Sequence, residues 1–154
     1  MSAAPRRTAL LWSIAALSLG AIGIALATQH LLGMEPCPWC ILQRLIFAAI
    51  ALAALLGLIL GRWFAGLPVL ALSLAGIAAA LWQHFVAAAS DSCNLTLAEK
   101  IISGLGLDGS LPEIFQPRAS CADAAVKLLG VPYEFWSLGL FLLTGALALR
   151  LLRR

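Results

Sequence analysis

Residues 36–62 read PCPWCILQRLIFAAIALAALLGLILGR, two cysteines and an arginine running into an uncharged apolar tract. The tract from Leu45 to Gly61 is bounded by Arg44 and Arg62. A spanning helix needs about 20 predominantly apolar residues. The tract reaches that length if the helix starts near Pro38 and carries Arg44 in its first turns. Three further runs have the same character. Thr8 to Ala27 is uncharged and closed by Thr28-Gln29-His30. Trp63 to Ser90 holds Pro68 near its start and Gln83-His84 near its end. Leu128 to Leu149 is broken only by Glu134 near one end. The sequence therefore predicts an all-α membrane protein, one domain over 1–154. It is a four-transmembrane-helix bundle with spans at about 8–29, 38–61, 64–89 and 131–150, and loops at about 30–37 and 90–130.

Composition agrees. Of 154 residues, 62% are hydrophobic and only 11% charged, where a soluble domain carries about 25%. Such a chain cannot cover a soluble surface, so membrane lipid is its solvent. The net charge of +3 does not point to nucleic acid, because the cations follow topology and form no basic face. Arg6, Arg7, Arg62, Arg150, Arg153 and Arg154 fall at the termini and in the 61–67 turn, while all seven acids fall on the other side. The positive-inside bias puts both termini in the cytoplasm and the other two loops outside. Arg6-Arg7, an apolar core and Ala25-Leu26-Ala27 also resemble a cleavable secretory signal. The core is longer than such signals carry, so the first helix is expected to stay as an anchor. In the long outer loop, Leu97, Ile101, Ile102 and Leu105 fall at helical spacing, which predicts a short amphipathic helix on the membrane surface.

The four cysteines, Cys37, Cys40, Cys93 and Cys121, all map to the outer side, where an oxidising compartment such as the periplasm keeps disulfides. Four cysteines allow three pairings. The C-x-x-C makes Cys37 with Cys40 the obvious local pair, leaving Cys93 with Cys121. Structural stapling is the bland alternative, and it suits the second pair better. A bridge across two residues closes too small a loop to stabilise much; it is the usual geometry of a redox couple. A four-cysteine zinc site would want a second C-x-x-C, so no metal is expected. Pro38 suits a first helical position, so Cys40 sits in a first helical turn, whose free N–H groups favour a thiolate. Arg44, four residues on, shares its face. Such an arginine either snorkels to the interface or holds a polar ligand such as a quinone carbonyl. Gln83 and His84 are candidates for the same ligand site or for hydrogen bonds between helices.

These residues resemble the disulfide bond formation protein B family over nearly the whole chain. Pro36-Cys37-Pro38-Trp39-Cys40 with Gln43-Arg44 is similar to the family's first-loop motif. Trp82-Gln83-His84 before Cys93, Cys121-Ala122, Gly130-Val131-Pro132 and Glu134-Phe135-Trp136-Ser137-Leu138 match later segments. The chain departs where Val126 and its neighbours stand in place of a tryptophan that members often carry after the second loop cysteine. The resemblance implies a four-helix bundle in the bacterial inner membrane. It implies a bound ubiquinone or menaquinone from the quinone pool, and a DsbA-like periplasmic thiol oxidase as partner. It also implies roles. Cys93 forms the mixed disulfide with the partner, Cys121 completes the outer pair, Cys37 takes electrons from it, and Cys40 faces the quinone beside Arg44. The established potential of DsbA, about −120 mV, makes electron withdrawal cost about 1.4 kcal/mol per 30 mV uphill; a respiratory quinone offsets this. Sulfur exchange is expected to require the 90–132 loop to swing or bend so that its cysteine pair comes near Cys37. Two rival classes are a vitamin K epoxide reductase-like quinone reductase, whose C-x-x-C comes late in the chain, and a non-catalytic membrane subunit with structural disulfides. A transporter is disfavoured because the spans hold no Asp, Glu or Lys.

Overall fold

The computed structural model describes residues 3–89 and 96–153, the side chains of residues 3 and 4 excepted. Its long helices are α1 (Ala3–Leu32), α2 (Pro38–Leu60), α3 (Arg62–Phe85) and, last in the chain, α7 (Tyr133–Arg153). All four are long and apolar enough to cross a membrane. The short helices α4 (Leu97–Gly104), α5 (Leu107–Ser110) and α6 (Pro112–Phe115) lie in the long loop between α3 and α7, expected from sequence to be the outer one, followed by the strands β1 (Lys127–Leu128) and β2 (Val131–Pro132). The spans thus form an all-α bundle with one two-residue-per-strand hairpin added. α1 extends beyond the expected 8–29 at both ends, because nothing in Pro5-Arg6-Arg7 or in His30-Leu31-Leu32 stops a helix before Gly33. α3 starts two residues earlier than 64 and stops at Phe85, a single 3₁₀ turn carrying the chain to Ala89. α7 begins two residues later than 131 because Val131 and Pro132 pair with Leu128 and Lys127.

Lipid tails are as apolar as leucine, so helices in a bilayer are held by close packing and hydrogen bonds. The core shows both. Phe47 of α2 stacks on Phe141 of α7 with centroids 4.1 Å apart. Phe141 packs where Gly76 of α3 has no side chain, since a Cβ there would meet its ring at 2.4 Å. The Ser73 and Thr144 hydroxyls join α3 to α7 at 3.0 Å. α1 is part of this packing: Leu11, Ile14, Ala15 and Ser18 are buried. α2 and α3 reverse direction at Gly61 alone, with φ +107°, a backbone value that favours glycine.

The outer loop is fastened to the bundle. α4 starts on a capping box, in which the Glu99 N–H donates to Thr96 Oγ1 (3.2 Å) and the Thr96 N–H donates to Glu99 Oε2 (2.7 Å). α4 buries Ala98 and Ile102 and leaves Leu97 and Ile101 outward, and Ile102 and Phe115 pack on Ile41 of α2. The N–H groups of Arg118 and Ala119 both donate to Pro36 O, at 2.9 and 3.3 Å. The hairpin turns at Leu129-Gly130, both with positive φ, as a two-residue hairpin turn requires.

Tight packing at Gly57 is open to test. A Cβ there would lie 2.3 Å from Ala65 Cβ. Gly57→Ala is expected to lose about 1–3 kcal/mol by overpacking, seen as a lower thermal midpoint in detergent. Gly20→Ala, with nothing within 4 Å of the new atom, should leave the midpoint unchanged or slightly raised.

Candidate functional site

The site is built at the N-terminus of α2. Pro38 holds the first helical position and Cys37 is the N-cap, its sulfur accepting the Cys40 N–H at 3.4 Å. A thiol sulfur thus satisfies a donor that Ser, Thr or Asp usually satisfies at a helix start. The same geometry sets the two Sγ atoms 3.0 Å apart. Trp39 is buried and tilts against Trp82 of α3, centroids 6.2 Å apart.

Cys121 comes to the other side of Cys37. The Pro36 O contacts hold the segment 118–121 against the first loop, and bring the Cys121 thiol close enough to Cys37 for each to shift the other's titration. No swing of this part of the loop is therefore needed to reach Cys37, in contrast to the expectation from sequence. The proximity reflects a tertiary backbone contact that composition does not reveal. Cys93 lies outside the described residues. With the three thiols free, the hydrogen bond from Cys37 holds the Cys121 thiol below its ordinary range, burial opposing. The same bond, then the bond to Cys40 and burial, pushes the Cys37 thiol up.

Below the cysteines lies a cavity of about 340 Å³ whose wall includes Cys40, Arg44, Gln83 and Glu134 among apolar side chains. Gln83 is buried and donates through Nε2 to Cys40 Sγ (3.2 Å), while its Oε1 accepts from Gln43 Nε2 (2.8 Å). Arg44 is only 5% exposed. A snorkelled guanidinium would sit at the surface. Instead Nη1 donates to Gln29 Oε1 (2.7 Å) and to Ile114 O (3.1 Å), and Nη2 donates to Ala25 O (3.3 Å). His84 stands apart from the other candidates. It is absent from the cavity wall, and its Nδ1 lies 2.6 Å from Glu134 Oε1.

Four polar residues here were not singled out as site residues from sequence. Gln29 and Gln43 are buried partners of Arg44 and Gln83. The Tyr133 hydroxyl reaches Thr28 Oγ1 at 3.0 Å and lines the cavity. Glu134 is 4% exposed, so an acid does lie within the bundle, where the sequence reading put it only at an outer boundary. A polar residue in an apolar tract was the available signal for each.

The sequence that folds around this cavity matches a known family. The profile of the family described as disulfide bond formation protein DsbB matches residues 6–151. The chain belongs to that family. It is 34% identical over 155 residues to the disulfide bond formation protein B of Aromatoleum aromaticum, covering 95% of this chain and 92% of the relative. It is 36% identical over 159 residues to that of Verminephrobacter eiseniae, with 97% and 87% covered. It is 38% identical over 148 residues to that of Pseudomonas syringae pv. tomato, with 92% and 86% covered. This DsbB-family chain is thus a multi-pass membrane oxidoreductase of disulfide formation.

The opposed thiol shifts predict an order of ionisation. In the reduced protein Cys121 should become a thiolate at a pH where Cys37 remains a thiol, so its alkylation midpoint lies at lower pH. Site-resolved mass spectrometry after pulsed alkylation reads both midpoints; Cys37→Ala should move that of Cys121 back up.

Proposed function

We propose that this chain oxidises a periplasmic thioredoxin-like dithiol oxidase of the DsbA kind and delivers the electrons to a membrane quinone at the outer face of a bacterial inner membrane. One observation carries the reading: Cys37 lies between Cys121 of the outer loop and Cys40 on the cavity wall. That is the arrangement a sulfur relay from water to lipid needs.

The family resemblance assigns the first step to Cys93, whose disulfide with Cys121 is opened by a partner thiolate, freeing Cys121. The Cys121 thiolate then attacks Cys37 of an oxidised Cys37–Cys40 pair. The Cys37–Cys121 bond forms as the Cys37–Cys40 bond breaks, and Cys40 leaves as a thiolate. The hydrogen bond that favours the Cys121 thiolate suits it as a nucleophile. Gln83 Nε2 and the positive end of α2 receive the charge on Cys40. When the partner resolves its own mixed disulfide, Cys93 is released and attacks Cys121. That restores the outer pair and frees Cys37. Cys37 and Cys40 are then both reduced, holding the two electrons taken from the partner.

The cavity fits a quinone head in its residues. It is mostly apolar, opens among lipid-spanning helices, and offers Arg44 and Gln83 as donors and Glu134 with one unpartnered oxygen, Oε2. A quinone bound there, ubiquinone or menaquinone, supplies the two-electron acceptor that returns Cys37 and Cys40 to the disulfide. Arg44 and Gln83 would hold it against Cys40. His84, expected in that shell from sequence, would act from behind Glu134.

Two experiments test this with purified protein, a reduced thioredoxin-like partner and a short-chain ubiquinone. Cys40→Ser should abolish quinone-dependent turnover while a Cys93-linked partner adduct stays trappable on gels; normal turnover overturns the assignment. Arg44→Met should raise the KM for quinone about 10–100-fold, the worth of a hydrogen bond from a charged group, and leave the partner KM unchanged. An unchanged quinone KM limits Arg44 to bracing the helices.

A further inference from the structure

Glu134 has no structural need for both of its oxygens. Oε1 is 2.6 Å from His84 Nδ1, whereas Oε2 is buried with no hydrogen-bond partner among the described residues. A buried polar atom left unpaired is unfavourable, and such atoms call for an explanation. Here the residue lines the cavity that Cys40 also lines. His84 is on the other side of the carboxyl, 31% exposed, with its ring between Phe85 (4.8 Å between centroids) and Phe135 (4.6 Å). One carboxyl therefore connects a partly exposed imidazole to an apolar cavity.

Reduction of a quinone consumes protons as well as electrons, and an apolar cavity cannot take them from bulk water directly. We propose that Glu134 is the proton donor within the cavity and that His84 restores its proton from the outer surface. The inference rests on the quinone reading and deepens it. The sum balances. Cys40 is a thiolate and Cys37 a thiol, so the pair gives up two electrons and one proton as its disulfide forms, and a quinone takes up two of each in becoming the quinol. The Cys37 thiol proton is one of the two. Glu134 gives the other and regains it through His84 from solvent, which replaces the proton that Cys40 does not carry.

The surroundings favour this use. A His–Glu pair is net neutral whether the shared proton rests on nitrogen or oxygen, so proton transfer along it buries no new charge. After donation the carboxylate lies in the first turn of α7, where the helix dipole favours an anion. The other titratable or charged groups on the cavity wall are Cys40 and Arg44 of α2 and Tyr133 of α7, while α1 presents only Ala21, Ile24 and Ala25. The Arg44 charge is already directed at Gln29, Ala25 O and Ile114 O. Tyr133 is bonded to Thr28. Neither takes over Oε2.

The test compares the full-length protein with Glu134→Gln, which keeps the shape and can still bond to His84. A short-chain ubiquinone is the probe. Binding is read from quenching of Trp fluorescence. Thiol transfer is read from reduction of the Cys37–Cys40 disulfide by a reduced thioredoxin-like partner without quinone. Turnover is read with its pH profile and solvent deuterium isotope effect. Glu134→Gln should bind quinone within about twofold of the wild type and keep thiol transfer. It should lose about 10²-fold or more in kcat, the usual worth of a positioned acid. His84→Ala should lose less, flatten the pH profile, and recover partly with added imidazole. Wild-type kcat and isotope effect in Glu134→Gln overturn the proposal. So does lost quinone binding, which would make Glu134 a holding group. Failure of the wild type itself to bind quinone refutes the parent reading instead. Infrared difference spectra of the wild type, oxidised minus reduced, give a check that needs no stable variant: a carboxyl band must change on turnover with quinone, and its constancy overturns the assignment.

Discussion

A guanidinium in an apolar bundle must be surrounded by acceptors or it will not stay there, and Arg44 organises the outer half of this protein on that account. Isolated charge is very unfavourable in hydrocarbon. Its donors go to the Gln29 side chain and Ala25 carbonyl of α1 and to the Ile114 carbonyl of α6. Three parts of the chain distant in sequence are thereby required to meet at one point. The ends of α1 and α2 are set relative to each other, and a short helix of the outer loop is drawn down onto them. Gln29 Nε2 adds a long contact of 3.4 Å to Glu113 O. The loop is consequently a lid fixed at defined points.

That attachment decides what the cysteines can do. With α6 held by Arg44 and the next segment held at Pro36 O, Cys121 arrives beside Cys37 without a large movement. The sulfur chain then runs from a watery loop, through a helix cap, to a cavity wall. Each sulfur meets a different environment. Cys121 is flanked by loop backbone, Cys37 is fully enclosed, and Cys40 faces the bundle. The three side chains are chemically identical, so any difference in their reactivity comes from these surroundings.

The number of spans was legible because hydropathy over twenty residues is a strong signal, and the C-x-x-C with Arg44 behind it marked where the thiols and the cavity lie. Helix ends were less legible. α1 ran on through Leu32 because only Gly33 supplied a stop, and the hairpin displaced the start of α7. The polar partners were hidden for a different reason. Gln29, Gln43 and Glu134 each look like a polar residue near the end of an apolar run, and their meaning depends on which residue of another helix faces them. His84 shows the same limit: its neighbour in sequence, Gln83, reaches Cys40, while a turn of about 100° per residue sends His84 to Glu134 instead. The approach of Cys121 to Cys37 depends on a backbone carbonyl at Pro36, and no residue type signals that.

The cap of α2 has a consequence of its own. Caps are usually inert hydroxyls or carboxylates, whereas the acceptor for the Cys40 amide is the sulfur of Cys37, a group whose electron density changes as it exchanges partners. A sulfur bearing negative charge holds that amide firmly; a bridged one holds it weakly. The cap that starts α2 is thus only as strong as the charge on that sulfur, and Trp39, lying within the same turn, packs against Trp82 on the neighbouring helix. The hold on this helix start depends on the chemical form of a single atom.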